Sequence, residues 1–214
     1  MNINTRHIFR AVAHLLLLGF VVGAVIACEE VKEPSVYDNW EEKNKLFVDS
    51  ISDLAAGKVV ATAAEADAMQ IGTYYAIETN TSTNYQLQYI YVKKLLSNTD
   101  GIRAYFTDAA TVYYYGTDIT GARFDGNFTG YSAIDNRTLD GNDNLPTLFN
   151  TPSTFTISDN IIQGWKTALQ FMREKERWMV YIPYQSAYGK NGSGNIIGYS
   201  TLCFDIIVDE VIRQ

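Results

Sequence analysis

The side chains that most often carry chemistry are scarce in this chain. Its 214 residues include two histidines, His7 and His14, and two cysteines, Cys28 and Cys203. Both histidines fall inside an apolar leader, so the remainder of the chain has none once that leader is removed. This excludes Ser-His-Asp and Cys-His nucleophile systems, and zinc sites built on His and Cys. Cys203 lies in the apolar run LCFDIIV, where a buried, inert thiol is expected. Asp140-Gly141-Asn142-Asp143-Asn144 begins like a calcium loop. It lacks the glycine and the terminal glutamate where that motif needs them, and reads as a turn-rich loop. Whatever the protein does, it does without the usual catalytic side chains.

The leader has its own logic. Arg6 and Arg10 precede an apolar run from Ala11 to Ala27, and Val25-Ile26-Ala27-Cys28 resembles a bacterial lipobox. Residues 1–27 therefore read as a lipoprotein signal peptide, with Cys28 as the lipidated first residue of the mature protein. Removing two arginines and no acid moves the net charge from −7 to −9. An acidic chain argues against nucleic-acid binding and against electrostatic adhesion to anionic lipid, so the membrane contact is the lipid itself. The expected location is the cell envelope, at the outer membrane. The periplasmic face is the default, and Glu29-Glu30 after Cys28 resembles the acidic patch of surface-exposed Bacteroidetes lipoproteins.

The elements that position any site follow from periodicity. Residues 28–35 read as a charged linker and 36–72 as a helical N-terminal extension. Within it Tyr37, Trp40, Phe47, Ile51 and Leu54 fall at helical spacing, Gly57 is a stop, and Thr62-Ala63-Ala64-Glu65 is a capping box. From Thr73 the period changes to two. Strands are expected at Tyr74–Ile77, Gln86–Leu95, Thr111–Tyr115, Phe155–Ile157, Trp178–Ile182 and Leu202–Ile212. A long loop spans 126–152, and one short amphipathic helix presents Trp165, Ala168, Leu169 and Met172 on one face. Residues 73–214 thus form an α+β domain.

Read in order, this domain contains Tyr114 and Gly116, Gly121-Ala122-Arg123-Phe124-Asp125, Ile161-Ile162-Gln163-Gly164-Trp165, Ile182-Pro183, Ala187-Tyr188-Gly189, Asn195-Ile196 and Thr201-Leu202-Cys203-Phe204-Asp205-Ile206. The series resembles the FKBP-type peptidyl-prolyl cis-trans isomerases, whose pattern runs V-x-Y-x-G, D-G-x-x-F-D, V-I-x-G-W, I-P, A-Y-G and T-L-x-F-D-V. The resemblance covers about 100 residues, Thr111 to Ile212. It implies a curved antiparallel sheet wrapped around one short helix, with an apolar pocket between them. Carried over by motif, Tyr114, Phe124, Asp125, Trp165, Tyr188 and Phe204 would be catalytic, with Ile161, Ile162 and Ile196 binding substrate. Trp165 would be the floor, Phe124 and Phe204 the walls, and Tyr188 would offer a hydroxyl to a substrate carbonyl. The partners implied are proline-containing polypeptides, and no metal or cofactor is required.

Three departures from the family pattern stand out. The connection from Asp125 to Phe155 is about twenty residues longer than usual, so its loop could narrow or cover the pocket. Ser153 stands where an aromatic is common, and Phe149 or Phe128 from the loop could replace it. Ile196-Ile197-Gly198 replaces I-P-P, removing a stiff prolyl edge. The sequence leaves open three readings: an envelope prolyl isomerase that assists folding of exported proteins, a non-catalytic peptide-binding module of the same fold, and a glycan-binding surface built on Tyr113, Tyr115 and Tyr131.

Overall fold

A computed structural model describes residues 33–83, 86–135 and 139–214. The expected signal peptide and the expected lipidation site, Cys28, lie outside the described residues, as does most of the expected linker. Residues 33–38 belong to a separate unit, Met1–Asp38, and form a turn in which the Ser35 amide donates to Asp38 Oδ2 at 2.9 Å. All else described belongs to one unit, Asn39–Gln214. Among the described residues no helix is long and apolar enough to cross a membrane.

The centre of this unit is one eight-stranded sheet. Its strands are β1 (Val59–Val60), β2 (Tyr74–Thr83), β3 (Gln86–Leu96), β4 (Ala109–Thr117), β5 (Arg123–Gly126), β6 (Ser153–Thr156), β7 (Arg177–Ile182) and β8 (Leu202–Ile212). The order is β1-β2-β3-β7-β8-β4-β5, with β6 also paired to β4. Only the β1–β2 pair is parallel. Among the described residues three α-helices accompany it: α1 (Trp40–Ala55), α2 (Ala63–Asp67) and α3 (Gln163–Phe171). Within the expected helical extension, β1 joins the sheet edge through its pairing with β2. The short β5 and β1 escape the sequence pattern, having too few residues to show alternation.

Both faces of the sheet are covered. On one, Trp165, Ala168, Leu169 and Met172 of the α3 segment pack with Ile90, Val92, Val112, Val180, Ile182 and Ile206 in the larger core cluster. On the other, Phe47 and Ile51 of α1 and Tyr131 and Leu139 of the long loop pack on Leu95, Met179, Tyr181 and Cys203. This explains why all of β7 is buried, whereas an antiparallel strand with one wet face would alternate. Burial pushes the Cys203 thiol well above its ordinary pKa, which keeps it protonated. Tyr131 is only 4% exposed, so it cannot contribute to the surface imagined for glycan binding.

The α1 stripe differs from the expected one. Leu54 is exposed and Tyr37 precedes the helix, while Asn44 is buried with Trp40, Ile51 and Ala55. Asn44 earns its burial by hydrogen bonds: Nδ2 donates to Trp40 O at 2.8 Å, and Oδ1 accepts the Thr201 amide at 2.7 Å. The Trp40 indole donates to Ser200 Oγ at 2.9 Å. Farther along, the Thr62–Glu65 capping box is formed as expected. Asp67 at the end of α2 takes a bidentate contact from Arg173, at 2.7 and 2.8 Å, and pairs with Arg103.

None of the described residues of the long loop lines the pocket. Phe128, Tyr131, Leu139, Gly141 and Asp143 lie on the side of the sheet opposite α3, held by an ion pair with no solvent exposure. Arg177 Nε donates to Asp205 Oδ1 at 2.9 Å and Nη2 to Oδ2 at 2.5 Å. Arg177 Nη1 reaches the carbonyls of Gly141 and Asp143, its guanidinium lies 4.7 Å from the Tyr131 ring centroid, and the Tyr131 amide donates to Asp205 Oδ2. Asp140 Oδ1 accepts the Asn142 amide in an ordinary turn, and the described residues hold no metal-binding cluster.

Asp205→Asn should therefore destabilise the fold by about 3–5 kcal/mol in urea titrations, because it strands a buried guanidinium. Asp67 behaves differently with pH. Hydrogen bonds from Arg173 and Arg103 hold its carboxyl well below the usual range, so its contribution is present above the unfolded pKa and is lost as pH falls through the folded one. Asp67→Asn should lower stability at neutral pH, and its difference from the wild type should shrink as pH drops below about 4.

Candidate active site

The nine residues carried over by motif all line one cavity of about 410 Å³, open to solvent between α3, β4, β5 and the loop after β7. Register explains the assembly. Tyr114 on β4 points to the α3 side, next to Phe204 of β8, whose strand pairs directly with β4. Phe124 and Asp125 come from β5, which pairs with β4 at Gly116 and Thr117. A Cβ on Gly116 would sit 2.8 Å from the Phe204 ring and 2.9 Å from that of Phe124. The missing side chain is what lets those rings meet across the strand.

Trp165 is the floor in a literal sense. It is 5% exposed, and its ring centroid lies 5.2 Å from Tyr114, 5.1 Å from Phe204 and 4.8 Å from Phe155. Two of these contacts are edge-on, at 90° and 87°, the arrangement that aromatic quadrupoles favour. Phe124 stands edge-on to Phe204 at 5.5 Å and completes the wall. Gly164 brings the floor in close: a Cβ there would lie 2.3 Å from Ile182 Cγ2, so α3 can seat against β7 only with glycine at that point.

Polar groups are few. The Tyr114 hydroxyl donates to Asp125 Oδ2 at 3.1 Å, and Asp125 Oδ1 accepts the Gly126 amide at 2.7 Å. Burial first, then the Asp125 charge, raises the Tyr114 pKa to about 12, so the phenol stays a donor at any physiological pH. Asp125 itself is exposed, contrary to the buried acid its aromatic neighbours suggest. Tyr188 is 42% exposed at the rim, and among the described residues its hydroxyl has no hydrogen-bond partner.

Four further residues line the cavity: Phe155, Asn160, Ser193 and Asn195. Phe155 fills the aromatic place next to Trp165. Neither replacement from the loop does so, since Phe149 is 97% exposed and Phe128 packs edge-on to Tyr113 on the opposite face. Alternation in β6 could have marked Phe155. No pattern marks Asn160 or Ser193, which reach the rim only because their loops turn there, and Asn195 stands in the motif series only as the neighbour of Ile196.

Comparison with known proteins agrees with this geometry. Residues 103–209, half of the chain, match the FKBP-type peptidyl-prolyl cis-trans isomerase family. The chain belongs to that family. A macrophage infectivity potentiator of Trypanosoma cruzi is 50% identical over 56 residues, covering 26% of this chain and 28% of that protein. An FKBP-type peptidyl-prolyl cis-trans isomerase of Aeromonas hydrophila is 30% identical over 106 residues, covering 50% and 32%. An outer membrane protein of Legionella longbeachae is 32% identical over 114 residues, covering 53% and 40%. The chain thus spans well under half the length of each of these relatives. A crystal structure of a peptidyl-prolyl cis-trans isomerase from Pseudomonas syringae shares the fold, with a TM-score of 0.52 at 20% identity, covering 85% of this chain and 99% of that one.

Gly164→Ala should destabilise the domain by about 1–3 kcal/mol, because overpacking against the fully buried Ile182 outweighs the gain in helix propensity of about 1 kcal/mol. Thermal denaturation followed by tryptophan fluorescence reads this directly.

Proposed function

We propose that the chain is a peptidyl-prolyl cis-trans isomerase that assists folding of exported proteins in the bacterial envelope, held to the outer membrane by a lipid on Cys28. The observation that carries the reading is the Trp165-floored aromatic cavity with one free hydroxyl, Tyr188, at its rim. Its substrates are proline-containing polypeptides. The names of relatives, which include an outer membrane protein, support the envelope setting.

The chemistry needs no nucleophile. Rotation about an X-Pro bond is slow because amide resonance raises a barrier of roughly 18–20 kcal/mol. At the twisted geometry that resonance is lost and the amide becomes less polar. A cavity of rings favours the twisted form over the planar one, and each preference of about 1.4 kcal/mol is worth tenfold in rate. Trp165, Phe204, Phe124, Tyr114 and Phe155 supply the apolar wall, while Ile161, Ile162 and Ile196 hold the prolyl ring and its flanks. Tyr188 donates to the carbonyl on the substrate. Asp125 acts through Tyr114, fixing its ring against Trp165, and is a positioning residue.

Proline-limited refolding with the full-length protein tests this. The wild type should accelerate refolding. Tyr188→Phe should lose up to about tenfold, as expected for one hydrogen bond, and Trp165→Leu should lose more. No acceleration by the wild type, or acceleration that both substitutions leave intact, would sink the proposal. Binding of a prolyl peptide without acceleration would instead assign the cavity to recognition alone.

A further inference from the structure

Two large apolar side chains stand wholly in solvent: Leu148 at 103% relative exposure and Phe149 at 97%. They are not on a loose strand. The Thr147 amide and hydroxyl donate to Asn150 Oδ1 at 2.7 and 2.9 Å, and the Asn150 amide returns to Thr147 O at 3.0 Å. Asn150 Nδ2 then donates to Asn127 O at 2.8 Å. Asn127 is fixed in its turn: its Oδ1 accepts the Tyr114 amide, and its Nδ2 reaches Val112 O and Ser153 Oγ. The turn is thereby tied to the seam along β4 where β5 ends and β6 begins. Those two strands carry Asp125 and Phe155 into the cavity.

We propose that this Leu148–Phe149 knuckle is a second contact for client polypeptide, engaging an apolar stretch of an unfolded chain whose prolyl bond sits in the aromatic cavity. The proposal rests on the isomerase reading and adds a substrate class to it: unfolded chains with apolar residues away from the prolyl bond, in preference to short prolyl peptides. Area and charge select this occupant. A buried Phe contributes about 150–250 Å², and with one Leu beside it the knuckle falls well short of the roughly 800 Å² per partner of a stable protein interface. It suits a weak, transient hold and not a dimer. An anionic bilayer is disfavoured by Asp140 and Asp143 in the same connection and by the chain's net charge of −7. Because hydrogen bonds already order the turn, little ordering is left for binding to impose on it.

The double variant Leu148→Ser/Phe149→Ser in the full-length protein separates these cases. Catalysis of a proline-limited refolding reaction should fall about tenfold in kcat/KM, the loss expected for about 1.4 kcal/mol of binding, while isomerisation of a prolyl tetrapeptide stays within about twofold. Equal losses on both substrates, or no loss on the protein substrate, would overturn the proposal. So would a change in sedimentation coefficient or in vesicle binding without a change in refolding catalysis. Affinity for a labelled, proline-free unfolded polypeptide keeps the two readings distinguishable. If the wild type isomerises nothing, the isomerase reading fails. The knuckle then stands if the variant loses this affinity and falls if the variant keeps it.

Discussion

The Arg177–Asp205 pair is the constraint on which the arrangement of this molecule depends. Both side chains have zero exposure, so each needs its hydrogen-bonding capacity met inside the protein. Asp205 alone cannot do this for a guanidinium with five donors. The carbonyls of Gly141 and Asp143 and the face of Tyr131 complete the shell, and all three come from the long connection between β5 and β6. The part of that connection around Tyr131, Gly141 and Asp143 is therefore fixed to the face of the sheet away from α3. None of the connection's described residues lines the cavity, although it is about twenty residues longer than usual in the family.

A second buried pair works on the other face. Lys94 and Glu176 meet at 2.9 Å with exposures of 0% and 1%, and Lys94 also donates to Ala66 O. Here the demand of a buried ammonium draws in α2. The two pairs flank the start of β7, one on each face, and each recruits a segment that lies outside the paired core of the domain. Apolar residues of similar volume could be as stable or more so, but they would not dictate which segment covers which face. Specificity of docking is the better account of why charges occupy these positions.

What the sequence revealed and what it hid follow the same division. Periodicity marked the long strands and α3, where burial on one face imposes a regular pattern. The motif series brought together Tyr114, Phe124, Asp125 and Phe204, which strand pairing places by register, with Trp165 from α3 and Tyr188 from the loop after β7. Hidden were the features that depend on a partner distant in the chain. Nothing in the helical stripe marks Asn44 for burial, because its partner Thr201 is distant in the chain. Phe149 and Phe128 were both credible substitutes for an aromatic wall; Phe128 packs on Tyr113 and the Thr147–Asn150 turn tied to Asn127 holds Phe149 in solvent, so Phe155 serves. Asp205 within LCFDIIV and Arg177 before WMVYI were legible as oddities, charges in strands bound for the interior. Sequence alone could not say that they face one another.

Those distant contacts also bind the helical segment to the cavity. Trp40 and Asn44 of α1 hold Ser200 and Thr201, the residues that lead the loop after β7 back into β8. The same loop carries Tyr188, Ser193, Asn195 and Ile196 to the cavity rim. Its far end is thus pinned by a helix that is not part of the FKBP-like motif series at all. A rim anchored in this way leaves its loop less freedom to rearrange than a connection held only by its two strands. The segment before residue 73 thus bears on the cavity indirectly, through the Ser200 hydroxyl and the Thr201 amide.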